Sequence, residues 1–118
     1  MKKSKLTFDG SYLGNGRGLF AFVFDGHSKA GELQCYSNVE AEYQALIKGL
    51  HHAISVGVED LTIYGDSKTV LHQITGQIRT IKTKKLLAET RELLSTIPHY
   101  TVEWIPRAKN IAHDKLPN

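Results

Sequence analysis

The stretch SNVEAEYQALIKGLHHAISV, residues 37–56, decides the fold class, because a helix with one apolar face needs another layer to cover it. Small and apolar side chains recur in it every three or four residues, at Ala41, Ala45, Leu46, Gly49, Leu50 and Ala53. This spacing places them on one face of a helix, and Ser37 or Asn38 can cap its first turn. We therefore predict a helix from about residue 38 to residue 56, with its apolar face on a sheet.

Three strand patterns precede this helix. Lys5 to Phe8 alternate in polarity before Asp9-Gly10, which predicts a strand that ends in a turn and exposes Asp9. A glycine-rich turn at residues 14–18 leads into the apolar run Leu19–Phe24. A further turn, at Asp25-Gly26, leads into Glu32–Tyr36, which we expect to be a half-buried outer strand. Short turns between successive strands indicate an antiparallel meander.

The residues after the helix predict two more strands, each reached through a helix. Asp60–Gly65 reads as a strand, and Asp66-Ser67 ends it and starts a brief helix that runs to Ile74. A second helical pattern spans residues 86–94, and a strand from Tyr100 to Ile105 is followed by a short helix. Because parallel strands are joined by helical crossovers, we predict an α/β fold. Its five-stranded mixed sheet has three antiparallel strands and then two parallel ones, and it is flanked by helices in one domain, residues 1–118.

Composition narrows the class of protein further. The 118 residues, 41% of them hydrophobic, suffice for one packed core. The single cysteine, Cys35, cannot form an internal disulfide, and the first residues, MKKSKLTF, contain no apolar stretch for a signal or membrane segment. We expect a cytoplasmic monomer with no membrane contact. The formal charge of +3 is compatible with a polyanionic partner but does not require one.

Three carboxylates stand at informative places in this pattern. Asp9 and Asp66 each follow a predicted strand, and parallel central strands bring such residues to one edge of a sheet. Glu42 lies between them on the long helix, within an apolar run, although its head group is expected to stay charged; a bound cation would resolve that conflict. Taken singly, Asp9 can equally be a turn residue and Asp66 a helix cap, so the joint pattern carries the interpretation.

Four motifs along the chain resemble those of type I ribonuclease H, the ribonuclease H-like domain also found in reverse transcriptases. They are Phe8-Asp9-Gly10-Ser11 with Gly14-Asn15, Ala41-Glu42-Tyr43-Gln44-Ala45-Leu46, Gly65-Asp66-Ser67, and Ile105-Pro106-Arg107 with Asn110 and Asp114. The resemblance implies an endonuclease that cuts the RNA strand of RNA/DNA hybrids and leaves a 5′ phosphate. It also implies two Mg²⁺ ions, or Mn²⁺ as a substitute, held by Asp9, Glu42, Asp66 and Asp114.

The same resemblance suggests further site residues. Arg107 precedes Asp114 by seven positions, where some compact relatives carry a basic residue near the scissile phosphate, although a solvated arginine is nearly as plausible. Donors and acceptors for the RNA 2′ hydroxyl are expected from Ser11, Asn15, Asn38 and the backbone amides near Gly10. Ser67 and Asn110 are expected as further substrate-binding residues. Glu40 competes with Glu42 for the ligand role, but we assign it to the helix N-terminus.

Departures from the family pattern keep two alternatives open. Val39 stands where a second substrate-contacting asparagine is usual, His113 stands where alanine is usual, and only four residues follow Asp114. These features favour a catalytically weak or inactive nucleic-acid-binding domain as the alternative function. A third hypothesis is a nuclease for branched or single-stranded DNA, because fold alone does not fix substrate.

Overall fold

A computed structural model describes residues 2–80 and 82–117 and gives the bounds of each element. The first half of the chain contains three strands and one long helix: β1 (Lys3–Gly14), β2 (Arg17–Phe24), β3 (His27–Gln34) and α1 (Asn38–Ser55). The second half contains β4 (Asp60–Gly65), α2 (Lys68–Ile74), α3 (Lys84–Leu94), β5 (His99–Trp104) and two 3₁₀ helices, Arg107–Lys109 and His113–Lys115.

The five strands form one mixed sheet in the order β3-β2-β1-β4-β5. The pairs β1–β2 and β2–β3 are antiparallel, whereas β1–β4 and β4–β5 are parallel. This confirms the predicted α/β fold with three antiparallel strands and then two parallel ones. The helical crossovers α1 and α2–α3 make the parallel pairing possible, since a tight turn cannot return a chain in the same direction.

The core lies between the sheet and α1, as the helical spacing predicts. Leu6 and Phe8 of β1 and Tyr43, Leu46 and Leu50 of α1 are fully buried in one cluster. The helix approaches β1 so closely that a β-carbon added at Gly10 would overlap the backbone of Ala41. Glycine at position 10 therefore sets the distance between α1 and the strand that carries Asp9.

Two strand boundaries differ from the sequence prediction. The expectation that β1 ends in a turn at Asp9-Gly10 is wrong, because antiparallel pairing with β2 carries the strand on to Gly14. The parallel pairing of β1 with β4 does end near Asp9, because its last residue pair is Thr7 with Tyr64. β3 begins at His27, not Glu32, and its polar first half escapes a hydrophobic pattern because it is an exposed edge strand.

Within the described ranges, no helix is both long enough and apolar enough to cross a membrane.

Candidate metal centre

Three acidic side chains from different elements meet where the parallel pairing of β1 and β4 ends. Asp9 lies two residues beyond the last paired residue of β1, Asp66 directly follows β4, and Glu42 is on the second turn of α1. One carboxylate oxygen of each residue lies within 4.8 Å of the others. We call this set the carboxylate triad. Its members come from motifs that are distant in sequence, and the pairing of β1 with β4 and the packing of α1 on β1 bring them together.

Burial makes the carboxylate triad electrostatically costly when no cation is bound. Asp9 is 2% exposed and Glu42 is 6% exposed. Burial first, and then the negative charges of Asp9 and Asp66, raise the pKa of Glu42 from 4.5 to about 10, while the Gly10 backbone amide opposes the shift. Without a cation this shift favours the protonated form of Glu42 at neutral pH, whereas the sequence led us to expect a charged head group.

Asp66 is held by groups that favour its ionised form. Its Oδ2 accepts a hydrogen bond of 3.1 Å from Asn110 Nδ2 and lies 3.9 Å from Arg107 Nε. Burial and the charge of Asp9 nevertheless raise the pKa of Asp66, against the opposing effects of Asn110, Arg107 and His113. The backbone is also fixed, since Trp104 Nε1 donates to the Asp66 carbonyl at 3.1 Å.

The donor atoms of the carboxylate triad suit a hard divalent cation. Glu42 Oε2 is buried and has no hydrogen-bond partner in the part of the chain that the structure describes. An oxygen in that state is costly unless something pairs with it. Mg²⁺ and Mn²⁺ both accept carboxylate oxygens, and a positive ion would offset the mutual repulsion of the three side chains. Asp9, Glu42 and Asp66 are therefore the residues that can hold the expected metal.

Asn110 connects the carboxylate triad to the C-terminal segment. Its Nδ2 donates to Phe8 O as well as to Asp66, at 3.1 Å in both cases. Its Oδ1 accepts from the backbone amides of Ala112 and His113. The side chain is 2% exposed, and its polar atoms bond to other groups of the protein. These hydrogen bonds give Asn110 a positioning role, and its expected substrate contact stays a prediction.

The C-terminal 3₁₀ helix places His113, not Asp114, beside the carboxylate triad. His113 Nδ1 lies 2.7 Å from Asp9 Oδ2, whereas Asp114 is exposed and lies outside the three-residue group. Ala112 is fully buried against Ala21 and Val23 of β2. The sequence motif could not reveal this arrangement, because a one-residue difference in the phase of a short helix decides which side chain faces Asp9.

The remaining candidate residues are distributed around an open cleft of about 470 Å³. Its lining combines the carboxylates Asp9 and Glu42 with predicted substrate and phosphate residues: Gly10, Ser11, Asn38, Ser67 and Arg107. Asn15 is on the exposed β1–β2 turn and does not line the cleft. The Arg107 side chain is 72% exposed at the rim. The cleft thus has carboxylates at its floor and the long, positively charged Arg107 side chain at its edge.

Glu40, the alternative to Glu42, caps α1 as the sequence predicts. The Ser37 hydroxyl oxygen accepts from the Glu40 backbone amide at 3.1 Å, and Glu40 Oε2 accepts from the Tyr36 amide at 3.2 Å. Both bonds satisfy amides near the start of the helix. Glu40 is therefore committed to the helix end, and Glu42 is the acid that reaches the other carboxylates.

A mixed sheet of this order, with buried carboxylates at the end of its central parallel pair, defines the ribonuclease H-like class of proteins. The family described as reverse transcriptase-like matches residues 15–118. This chain therefore belongs to the type I ribonuclease H family, in agreement with the resemblance of its motifs.

Two curated relatives are similar to this chain in sequence. The chain is 37% identical over 86 residues to ribonuclease HI of Halobacterium salinarum, which covers 70% of this chain and 42% of that protein. It is 34% identical over 84 residues to the bifunctional protein Rv2228c of Mycobacterium tuberculosis, which covers 70% of this chain and 23% of that protein. The chain thus spans less than half the length of these relatives.

Solved structures of the same class superimpose over nearly the whole chain. RNase H1 from Halobacterium salinarum NRC-1 has a TM-score of 0.89 at 30% identity and covers 97% of this chain and 93% of that one. The N-terminal RNase H domain of Rv2228c has a TM-score of 0.88 at 28% identity, covering 98% and 91%. LC11 RNase H1, solved with an RNA/DNA hybrid, shares the fold with a TM-score of 0.84 at 22% identity, covering 95% and 91%.

Proposed function

We propose that this chain is an endonuclease that hydrolyses the RNA strand of RNA/DNA hybrids with two divalent metal ions and leaves a 5′ phosphate. The observation that carries the proposal is the carboxylate triad, which lies at the floor of an open cleft and includes a buried Glu42 oxygen that has no partner among the described residues. Family membership and the hybrid bound by LC11 RNase H1 support the substrate class.

The residues that would hold the metal are Asp9, Glu42 and Asp66. When bound, Mg²⁺, or Mn²⁺ in its place, supplies a Lewis acid that activates water and stabilises charge on the departing oxygen. The protein's own contribution is to keep three carboxylates together despite their repulsion. Asn110 does this for Asp66 through a direct hydrogen bond, and the close packing at Gly10 does it for Glu42.

The rim of the cleft supplies groups for the nucleic acid. The Arg107 guanidinium, near Asp66 and largely exposed, is placed to bind the scissile phosphate. Asn38 Oδ1 accepts from the Tyr12 amide at 2.8 Å, which orients the carboxamide and leaves Nδ2 to donate to a 2′ hydroxyl. Ser11 and Ser67 line the same cleft and add hydroxyl groups. These contacts recognise RNA without reading its base sequence.

One observation favours a second candidate, a nucleic-acid-binding domain with weak or no turnover. Asp114, the expected fourth carboxylate, is exposed on the C-terminal 3₁₀ helix and is not part of the carboxylate triad. A site with fewer carboxylates attracts Mg²⁺ less strongly. Such a domain would bind hybrid through the same rim residues and fail to cut it.

Cleavage of an end-labelled RNA/DNA hybrid distinguishes the two candidates. We expect the intact chain to cut only the RNA strand in Mg²⁺ or Mn²⁺, to release 5′-phosphorylated products, and to lose activity in Asp9→Asn. Single-stranded RNA, duplex DNA and branched DNA are the control substrates. Hybrid binding without cleavage in either metal would select the binding domain, and preferential cutting of branched DNA would refute the hybrid as substrate.

A further inference from the structure

The structure places the imidazole of His113 directly against the carboxylate triad. Its Nδ1 atom lies 2.7 Å from Asp9 Oδ2. The imidazole is 41% exposed, and it lines the same cleft as Asp9 and Glu42. It is therefore accessible from solvent on one side and in contact with a buried carboxylate on the other.

The backbone around His113 determines which side chain faces Asp9. The buried Asn110 carboxamide accepts from the amides of Ala112 and His113 at 2.9 and 3.2 Å. A 3₁₀ helix has three residues per turn, so successive side chains point about 120° apart. With Ala112 buried against β2 and His113 directed at Asp9, Asp114 is turned towards solvent. Asp114 could reach the carboxylate triad only if this turn unwound.

The two donor atoms are spaced as ligands of one ion. Adjacent ligands of an octahedral ion with metal–ligand distances of about 2.1 Å lie roughly 3 Å apart, close to the observed separation of Nδ1 and Oδ2. An ion bound to both would replace the hydrogen that now joins them. Imidazole nitrogen is a usual ligand of Fe²⁺, Ni²⁺, Cu²⁺ and Zn²⁺, and Mn²⁺ accepts it beside carboxylates, whereas Mg²⁺ prefers oxygen ligands and water.

We propose that His113 Nδ1, and not Asp114, completes the metal site beside Asp9, and that the site therefore selects Mn²⁺ over Mg²⁺. This inference rests on the proposed metal-dependent function and specifies its metal. A neutral imidazole in place of a carboxylate removes one negative charge from the site, which weakens attraction for Mg²⁺ in particular. The same nitrogen adds a bond that Mn²⁺, a transition-metal ion, accepts more readily than Mg²⁺ does.

Metal binding, measured without substrate, tests the assignment. Isothermal titration gives the affinities for Mn²⁺ and Mg²⁺, and pulsed electron paramagnetic resonance of bound Mn²⁺ detects a coordinated imidazole nitrogen. We expect nitrogen coupling in the wild type, and its loss in His113→Ala together with a drop of about tenfold or more in Mn²⁺ affinity. Mg²⁺ affinity should change much less. His99→Ala, which removes an exposed histidine at the opposite end of β5, is the matched control.

The Asp114→Asn variant provides the competing outcome. If it lowers metal affinity while His113→Ala does not, Asp114 is the ligand and the inference is overturned. Absence of nitrogen coupling in the Mn²⁺-loaded wild type overturns it as well, whether or not His113→Ala folds. Hybrid cleavage by a wild type without nitrogen coupling would refute only the role of His113. Nitrogen coupling without cleavage would refute only the nuclease proposal.

Discussion

Replacing Glu42 with glutamine should stabilise the metal-free protein at neutral pH. The variant keeps the shape of the side chain but removes the ionisation that burial and Asp9 oppose. In the unfolded chain Glu42 ionises near its ordinary value of 4.5, whereas in the folded chain its pKa is raised to about 10. An acid whose pKa is raised by folding costs stability as pH rises above the unfolded value, until it ionises in the folded state as well.

The cost at pH 7 depends little on the folded value, provided that this value is above 7. The interval from 4.5 to 7 is about 2.5 pH units, and about 1.4 kcal/mol per unit gives a penalty of about 3 kcal/mol. Glu42→Gln should therefore raise the free energy of unfolding at pH 7 by about 3 kcal/mol, equivalent to about 10 °C in Tm for a domain of this size. Near pH 4.5 the difference should fall to about 0.5 kcal/mol or less.

Urea denaturation in the presence of a chelator, at several pH values between 4.5 and 8, measures this difference directly. Glu92→Gln, which neutralises an exposed acid on α3, is the control and should change stability by less than about 0.5 kcal/mol. Saturating Mg²⁺ should narrow the gap, because it stabilises the wild type more than the variant. A Glu42→Gln difference that is the same at every pH would show that ionisation of Glu42 is not what burial penalises.

Three further perturbations probe the surroundings of the site. Asn110→Ala leaves buried polar groups unpaired, so we expect a loss of about 3 kcal/mol in denaturant titrations, and wild-type stability would contradict its positioning role. Gly10→Ala should cost about 2 kcal/mol or more, since the new methyl overlaps the Ala41 backbone; an unchanged Tm would refute that close approach. Arg107→Ala should leave Tm unchanged and raise KM for hybrid cleavage, and an unchanged KM would exclude the phosphate contact.

The helices and strands with a clear hydrophobic periodicity were predictable from the sequence. The α1 helix begins at Asn38 after a Ser37 cap, and β4 spans Asp60–Gly65, both as expected. Their sequence patterns are clear because α1 and β4 each bury one well-defined set of side chains. The mixed sheet, antiparallel first and then parallel, followed from the alternation of strands and helices, and it predicted that Asp9 and Asp66 lie at one edge. The resemblance to type I ribonuclease H added Glu42 to that set.

The features that the sequence predicted wrongly share a physical cause. Each depends on contacts with residues elsewhere in the chain, which the local sequence does not reveal. Asp9-Gly10 has turn-like composition, but pairing with β2 keeps it extended. His27 starts an exposed edge strand that needs no hydrophobic alternation. The orientation of His113 depends on hydrogen bonds that Asn110 Oδ1 accepts from the amides of Ala112 and His113. A motif that aligns Asp114 with a ligand position therefore does not determine which side chain turns inward.

The Asn110 carboxamide also affects when the site can form during synthesis of the chain. Its hydrogen bond to Phe8 O spans 102 residues of sequence. An N-terminal fragment that stops before residue 110 already contains every residue of the carboxylate triad, but it lacks the amide that holds Asp66 and the turn that carries His113. Contacts between such distant residues form late, since the intervening chain must first be ordered. During synthesis, therefore, the three acidic residues leave the ribosome before the group that fixes their geometry, and the site can be completed only after residues 110–113 have emerged.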